Sequence, residues 1–241
     1  MAARAAGVTA PPLFGRTAVV AGASRGIGLA IAEELMAAGA HVVRLSRSLS
    51  DQAAERRTDI RCDVTRPEDV AAAADRVGAE RGAPDILVHN AGGFLVRSLA
   101  ETAPAEFADQ VASNLTAPFL VLRAFVPAMV ARGRGLVVTI GSVADHVLLP
   151  GNAAYVATKH GLRGLHGALA RELRGTGVRA TLVSPGAVDT GIWDPVDPDN
   201  RLGFLKRAAM LRPEDVAEAV LFVATRPEHV SIPELHVEPK S

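Results

Sequence analysis

The sequence has a single cysteine, Cys62, so no internal disulfide can form, and no Cys/His cluster has the spacing of a metal site. It has no excess of charge: 26 basic residues balance 26 acidic ones, which gives no reason to expect nucleic acid or an anionic membrane as a partner. Long apolar runs are missing too. Leu136 to Ile140 and Val216 to Ala224 are too short or too interrupted to cross a hydrocarbon layer of about 30 Å, so no membrane partner is expected. The first twelve residues carry one charge, Arg4, and lack the apolar centre of a secretory signal; residues 1–13 are expected to form a flexible tail. A cytoplasmic location is the corresponding expectation.

What is there is the pattern of an α/β protein. The 241 residues are 49% hydrophobic, enough to cover both faces of a parallel sheet, and residues 14–241 are expected to form a single domain. Short β-branched runs, Thr17–Ala21, His41–Ser46, Ile60–Asp63, Asp85–His89, Leu136–Gly141, Arg179–Val183 and Leu235–Val237, alternate with stretches of helical period. Ile27, Ala30, Ile31 and Leu35 make one apolar helix face; Phe107, Val111, Leu115 and Leu122 another; Leu162, Leu165, Leu169 and Leu173 a third. The alternation predicts a doubly wound parallel sheet, a Rossmann fold of about seven strands with helices on both faces. Asp189 to Asn200 breaks the rhythm, with two prolines and four aspartates in twelve residues, and reads as a long loop of the kind that covers sites.

The first strand runs into Gly22-Ala23-Ser24-Arg25-Gly26-Ile27-Gly28, and a helical pattern begins at once. A glycine-rich strand-to-helix turn brings backbone N–H groups and a helix N-terminus to a pyrophosphate; a plain tight turn would look similar, but the strand and helix on either side favour the phosphate site. About 20 residues on, where a carboxylate would hold a free ribose 2′-hydroxyl, the sequence reads Ser46-Arg47-Ser48. Arg47 and Arg25 are suited to a 2′-phosphate, which favours NADP(H) over NAD(H), although two solvated surface arginines would read the same.

Tyr155 and Lys159 are one helical turn apart, so their side chains share a face. A neighbouring ammonium is expected to pull the tyrosine down from its usual pKa of about 10 toward acid/base work. Tyr-x-x-x-Lys alone is a common accident, and its surroundings must decide.

Those surroundings resemble the short-chain dehydrogenase/reductase family over residues 14 to 241. In order, the chain carries Gly22-x-x-x-Gly26-x-Gly28, Asp63-Val64, Asn90-Ala91-Gly92, Asn114, Ser142, Tyr155-x-x-x-Lys159, and Pro185-Gly186 with Val188 and Thr190. The resemblance implies that Tyr155 is the general acid/base, that Ser142 holds a substrate carbonyl, that Lys159 binds the nicotinamide ribose and tunes Tyr155, and that Asn114 orders a relay water. It implies a cofactor site made of these motifs, with Asp63 on the adenine amino group, unless Asp63 instead caps the helix near Pro67. Ser142 and Asn114 have plainer alternatives as a turn residue and a helix-kinking amide. The chain departs from the family pattern at Ala21, where threonine is usual, at His89, where asparagine is usual, and in lacking a Gly-Gly pair near Pro233 to Ser241. The resemblance also implies a homodimer or homotetramer and a small-molecule carbonyl or alcohol substrate. Gly93-Phe94, Val143 to Asn152, Ala187, Ile192 and Trp193 are expected to wall its pocket, with Arg97 or Arg201 within reach of any carboxylate. The expected activity is NADP(H)-dependent carbonyl reduction or its reverse. An NAD-dependent alcohol dehydrogenase and a non-catalytic NADP(H) sensor are the alternatives.

Overall fold

The computed structural model describes residues 10–240. Strands Thr17–Ala21 (β1), His41–Ser46 (β2), Gln52–Ala54 (β3), Arg57–Arg61 (β4), Ile86–His89 (β5), Gly135–Ile140 (β6), Val178–Pro185 (β7) and Glu234–Val237 (β8) form one sheet in the order β3-β4-β2-β1-β5-β6-β7-β8. All pairings are parallel except that of β3 with β4. The expected doubly wound Rossmann fold is present, with eight strands in place of about seven. The addition is β3, three exposed residues with no apolar alternation to announce them. The third expected strand also begins earlier, at Arg57, because β4 is drawn along β2 through the register Val42↔Arg57 to Ser46↔Arg61.

The helices are Gly26–Ala37 (α1), Pro67–Arg81 (α2), Pro104–Val111 (α3), Ala117–Arg132 (α4), Ala153–Glu172 (α5) and Pro213–Ala224 (α6). Alternation along β1 divides the core in two. Ala18 and Val20 face Ile31 and Leu35 of α1 and Val216 and Val220 of α6, whereas Val19 and Ala21 face Val70 of α2 and Val121, Phe125 and Met129 of α4. Leu13, placed by the sequence reading in the tail, is instead buried in the first of these clusters and donates its N–H to Ala38 O at 2.9 Å. Residues 1–9 of that tail lie outside the described residues.

Between β2 and β4 the facing pair Arg44 and Asp59 forms a buried two-pronged bond, both N···O distances 2.7 Å. Paired charges of this geometry tolerate burial where one alone would not. α3 and α4 are joined by a π turn, Ala112–Thr116, so that Pro104–Arg132 runs as one helical segment. Over 18 of its residues the mean hydropathy reaches 1.5, which with its length would suit a membrane crossing although no uninterrupted apolar run shows it; here Val121, Phe125 and Met129 lie against the sheet. Phe107, assigned to a buried helix face, is 44% exposed, because the π turn rotates α3 relative to α4.

β1 and β5 are parallel neighbours, but the chain leaving β1 adds its next strands on one side and the chain leaving β5 adds them on the other. The loops beyond their carboxyl ends therefore part there and open a crevice.

Candidate active site

The glycine turn lies at that crevice. Gly22 (φ 83°) abuts the Asn90-Ala91 segment after β5: a Cβ there would stand 2.6 Å from Ala91 Cα. Asn90 Nδ2 donates to Gly22 O at 3.1 Å, and a Cβ on Gly28 would stand 2.1 Å from the same oxygen. These contacts fix how α1 leaves the sheet. Its N-cap, Arg25, makes no side-chain cap bond and its first turn holds no acidic residue, so the N–H groups and partial positive charge of the helix face the crevice uncompensated. Thr190, in the loop after β7, approaches Gly26 from across the crevice, 3.2 Å from where a Cβ would be. Ser46 Oγ donates to Ser24 Oγ at 3.1 Å, tying the end of β2 to the turn. Arg25 and Arg47 are exposed, and neither forms an ion pair among the described residues.

Asp63 is engaged locally: one carboxylate oxygen accepts from the Thr65 N–H at 3.0 Å and from its hydroxyl at 2.7 Å, which together hold its pKa below the usual range. Val64 packs on the core beside it. Gly186 N–H bonds Val237 O at 2.8 Å, just past Pro185, and Val188 is buried.

Deeper in the crevice, Ser142, Tyr155, Lys159 and Asn114 come together. Ser142 follows β6, where its Oγ accepts from Ala144 N at 3.2 Å and its own N–H donates to Asp145 at 3.1 Å. Burial pushes the Tyr155 hydroxyl up to about 12, with the nearby Ser142 hydroxyl acting in the opposite direction. This reverses the expected direction of the tyrosine shift. Lys159 Nζ is 5.7 Å from the Tyr155 ring centroid and donates to Gly141 O at 3.1 Å, but it is not among the causes of the tyrosine's shift. Desolvation instead acts on the lysine itself, pushing it down to about 8. Asn114 lies in the π turn, buried, its Oδ1 accepting from Gly93 N at 2.8 Å and its Nδ2 donating to Gly93 O and Gln110 Oε1 at 3.0 Å each. The extra residue of a π turn turns that side chain out of the helix face and into the crevice.

The sequence pattern of the short chain dehydrogenase family matches residues 16–201. This chain belongs to that family. The 3-oxoacyl-[acyl-carrier-protein] reductase FabG of Escherichia coli K12 is 35% identical over 220 residues, which are 88% of this chain and 90% of the relative. A metagenomic short-chain oxidoreductase solved in complex with NADP is 37% identical, with a TM-score of 0.78 over 95% of this chain and 99% of that one. The aldohexose dehydrogenase AldT of Thermoplasma acidophilum is 27% identical, with a TM-score of 0.83 over 95% of each chain. The protein is an NAD(P)-dependent oxidoreductase, and the uncapped α1 terminus, with glycines that leave its backbone approachable, fits the phosphates of such a cofactor.

Three features of this short-chain dehydrogenase escaped the sequence reading. Asp145 is 1% exposed and is a hub: besides the Ser142 N–H it accepts from Ser184 Oγ at 2.6 Å, pairs with His146 Nδ1 at 2.7 Å and receives Arg163 at 3.3 Å. Arg207 ties down the loop after β7, bonding Asp189 at 2.6 Å and Asp194 at 2.7 Å. Phe94, named only as pocket wall, is a contact of Tyr155 itself, the ring centroids 4.9 Å apart, and Trp193 lies 4.8 Å beyond it. Arg97 and Arg201 are otherwise engaged, the first with Glu106 at 3.4 Å and the second over the Phe204 ring at 4.9 Å. His89 is buried, neutral and pushed down to about 3 by desolvation.

Proposed function

We propose that this dehydrogenase reduces the carbonyl of a small, largely neutral ketone, aldehyde or 3-oxoacyl substrate with NADP(H), or runs the reverse oxidation. One observation carries the reading: a phenol kept protonated by burial faces a serine hydroxyl at the carboxyl edge of the sheet, with an ammonium behind them. The nicotinamide supplies the hydride when bound. As charge develops on the carbonyl oxygen, the Ser142 hydroxyl donates a hydrogen bond to it and Tyr155 delivers its proton. Lys159, anchored on Gly141 O, presents its remaining N–H groups to the ribose and to the tyrosine oxygen; Asn114 orders a relay water. Gly22, Ser24, Gly26, Ile27, Gly28, Asn90, Ala91, Gly92 and Thr190 line the cofactor's path, and Asp63 and Val64 flank the adenine. Phe94, Trp193 and the exposed Leu148 give the substrate side an apolar character. The matching experiment is a panel of ketones, aldehydes and 3-oxoacyl thioesters followed by loss of NADPH absorbance; no turnover with any class would overturn the reading.

The preference for NADP(H) rests on Arg25 and Arg47, two unpaired guanidinium groups beside the turn, and the similarity to an NADP-bound oxidoreductase supports it. A charged hydrogen bond contributes about 1.5–3 kcal/mol, so Arg47→Asp should cut the ratio of NADPH to NADH affinity by about 10–100-fold. An unchanged ratio in fluorescence titrations would defeat the arginine argument. Lys159 sets the pH dependence. Its ammonium is the working form and its pKa is about 8, so kcat/KM for reduction should fall as pH rises through that region. A profile flat from pH 7 to 9, the span of about one unit on either side of that pKa, would remove Lys159 from the mechanism. Phe107 and Phe119, 44% and 47% exposed on α3 and α4, offer apolar surface to a second subunit, in keeping with a homodimer or homotetramer. A cytoplasmic location completes the reading.

A further inference from the structure

On the surface beside the Ser142 loop, two histidines and a glutamate converge from distant parts of the chain. His146 closes the short turn after Ser142, His236 lies in β8 and Glu238 follows it. One potential ligand atom from each lies within 4.8 Å of the others, and the imidazole rings meet with centroids 4.4 Å apart. We propose that His146, His236 and Glu238 form a binding site for a divalent cation of the zinc class, separate from the reductase chemistry and not dependent on it.

The donor set is the first argument. Two imidazoles and a carboxylate satisfy zinc while leaving a fourth position to water. The second argument is what stands behind the donors. Metal-binding histidines characteristically direct one ring nitrogen to a carboxylate and the other to the ion. Here His146 Nδ1 is 2.7 Å from Asp145 Oδ1, and His236 Nε2 is 2.7 Å from Glu234 Oε1. Both carboxylates are themselves anchored: Asp145 by Ser184 Oγ and the Ser142 N–H, and Glu234 by Arg163, whose Nη2 is 2.8 Å from Oε2. Each ring is thus oriented with one nitrogen left over. Donors around a tetrahedral zinc at bonds of about 2.0–2.1 Å stand roughly 3.3 Å apart, so small rotations of these surface side chains bring the three into range. The charges suit it as well, since the Glu238, Glu234 and Asp145 carboxylates together outweigh the Arg163 guanidinium before the ion arrives.

The test uses the full-length protein, stripped with a chelator and dialysed. Cobalt(II) is titrated first, followed by zinc(II) in calorimetry, against the unaltered chain, His236→Gln, Glu238→Gln and the double variant His146→Gln/His236→Gln, with circular dichroism to show that each is folded. The expected result is one equivalent bound, with the visible absorption of low-symmetry, four-coordinate cobalt. Each single variant should weaken zinc by at least about tenfold, the lower range for loss of even an outer partner, and the double variant should abolish the cobalt bands. No stoichiometric binding, or equal affinity in the folded double variant, would overturn the site. None of these readouts involves turnover, so failure of the reductase reading would leave the result standing.

Discussion

Tyr155→Phe is expected to lower turnover by about 10²–10⁴-fold while leaving NADPH affinity within about twofold, the share of the rate that a positioned acid supplies. The substitution removes one oxygen and keeps the ring, so the edge-to-face contact with Phe94 at 4.9 Å is retained and the crevice keeps its wall. It deletes the only phenol in the chain. Burial holds that phenol at about 12, so the group keeps its proton near neutral pH, as the proposed acid in reduction must. Steady-state kinetics beside a cofactor titration separates the readings. An enzyme loses rate and keeps binding; a cofactor sensor has no rate to lose; and a variant with full turnover would remove Tyr155 from the chemistry.

Ser142→Ala should cost about 10²–10³ in kcat, the loss typical of removing one donor to a developing oxyanion. The backbone bond from the Ser142 N–H to Asp145 at 3.1 Å does not involve the side chain, so the loop keeps its main anchor. The side chain also accepts from Ala144 N, so a loss of about 1 kcal/mol in stability should accompany the change, as for other caps. A melting temperature measured in parallel apportions the two effects. A rate loss no larger than the stability change explains would reduce Ser142 to a turn residue.

The parts of this molecule legible from sequence are those that repeat or punctuate. β1 and β2 were readable to the residue because each is a β-branched run closed by a turn signal, and the glycine turn because only glycine tolerates Ala91 and Gly22 O at such distances. The hidden parts depend on residues far apart in the chain. Arg163 and Glu234 are 71 positions apart and meet only after β8 docks on β7. Arg207 reaches its aspartates across a loop with no periodicity. The direction of the Tyr155 shift is hidden in the sequence for a related reason. Helical spacing shows that an ammonium is near, but not that burial surrounds the hydroxyl, and burial decided the sign. The π turn at Asn114 left no mark in composition, since one inserted residue alters the phase of an apolar stripe without interrupting it.

The row of rings from Tyr155 through Phe94 to Trp193 has a practical consequence. The chain contains one tryptophan, and its indole hydrogen-bonds Val188 O at 3.0 Å, in the loop that Arg207 secures over the crevice. All indole emission from this protein therefore originates from a ring separated from Tyr155 only by Phe94. Its intensity and colour are expected to change when a dinucleotide enters the crevice, a response readable in stopped flow without attaching a dye.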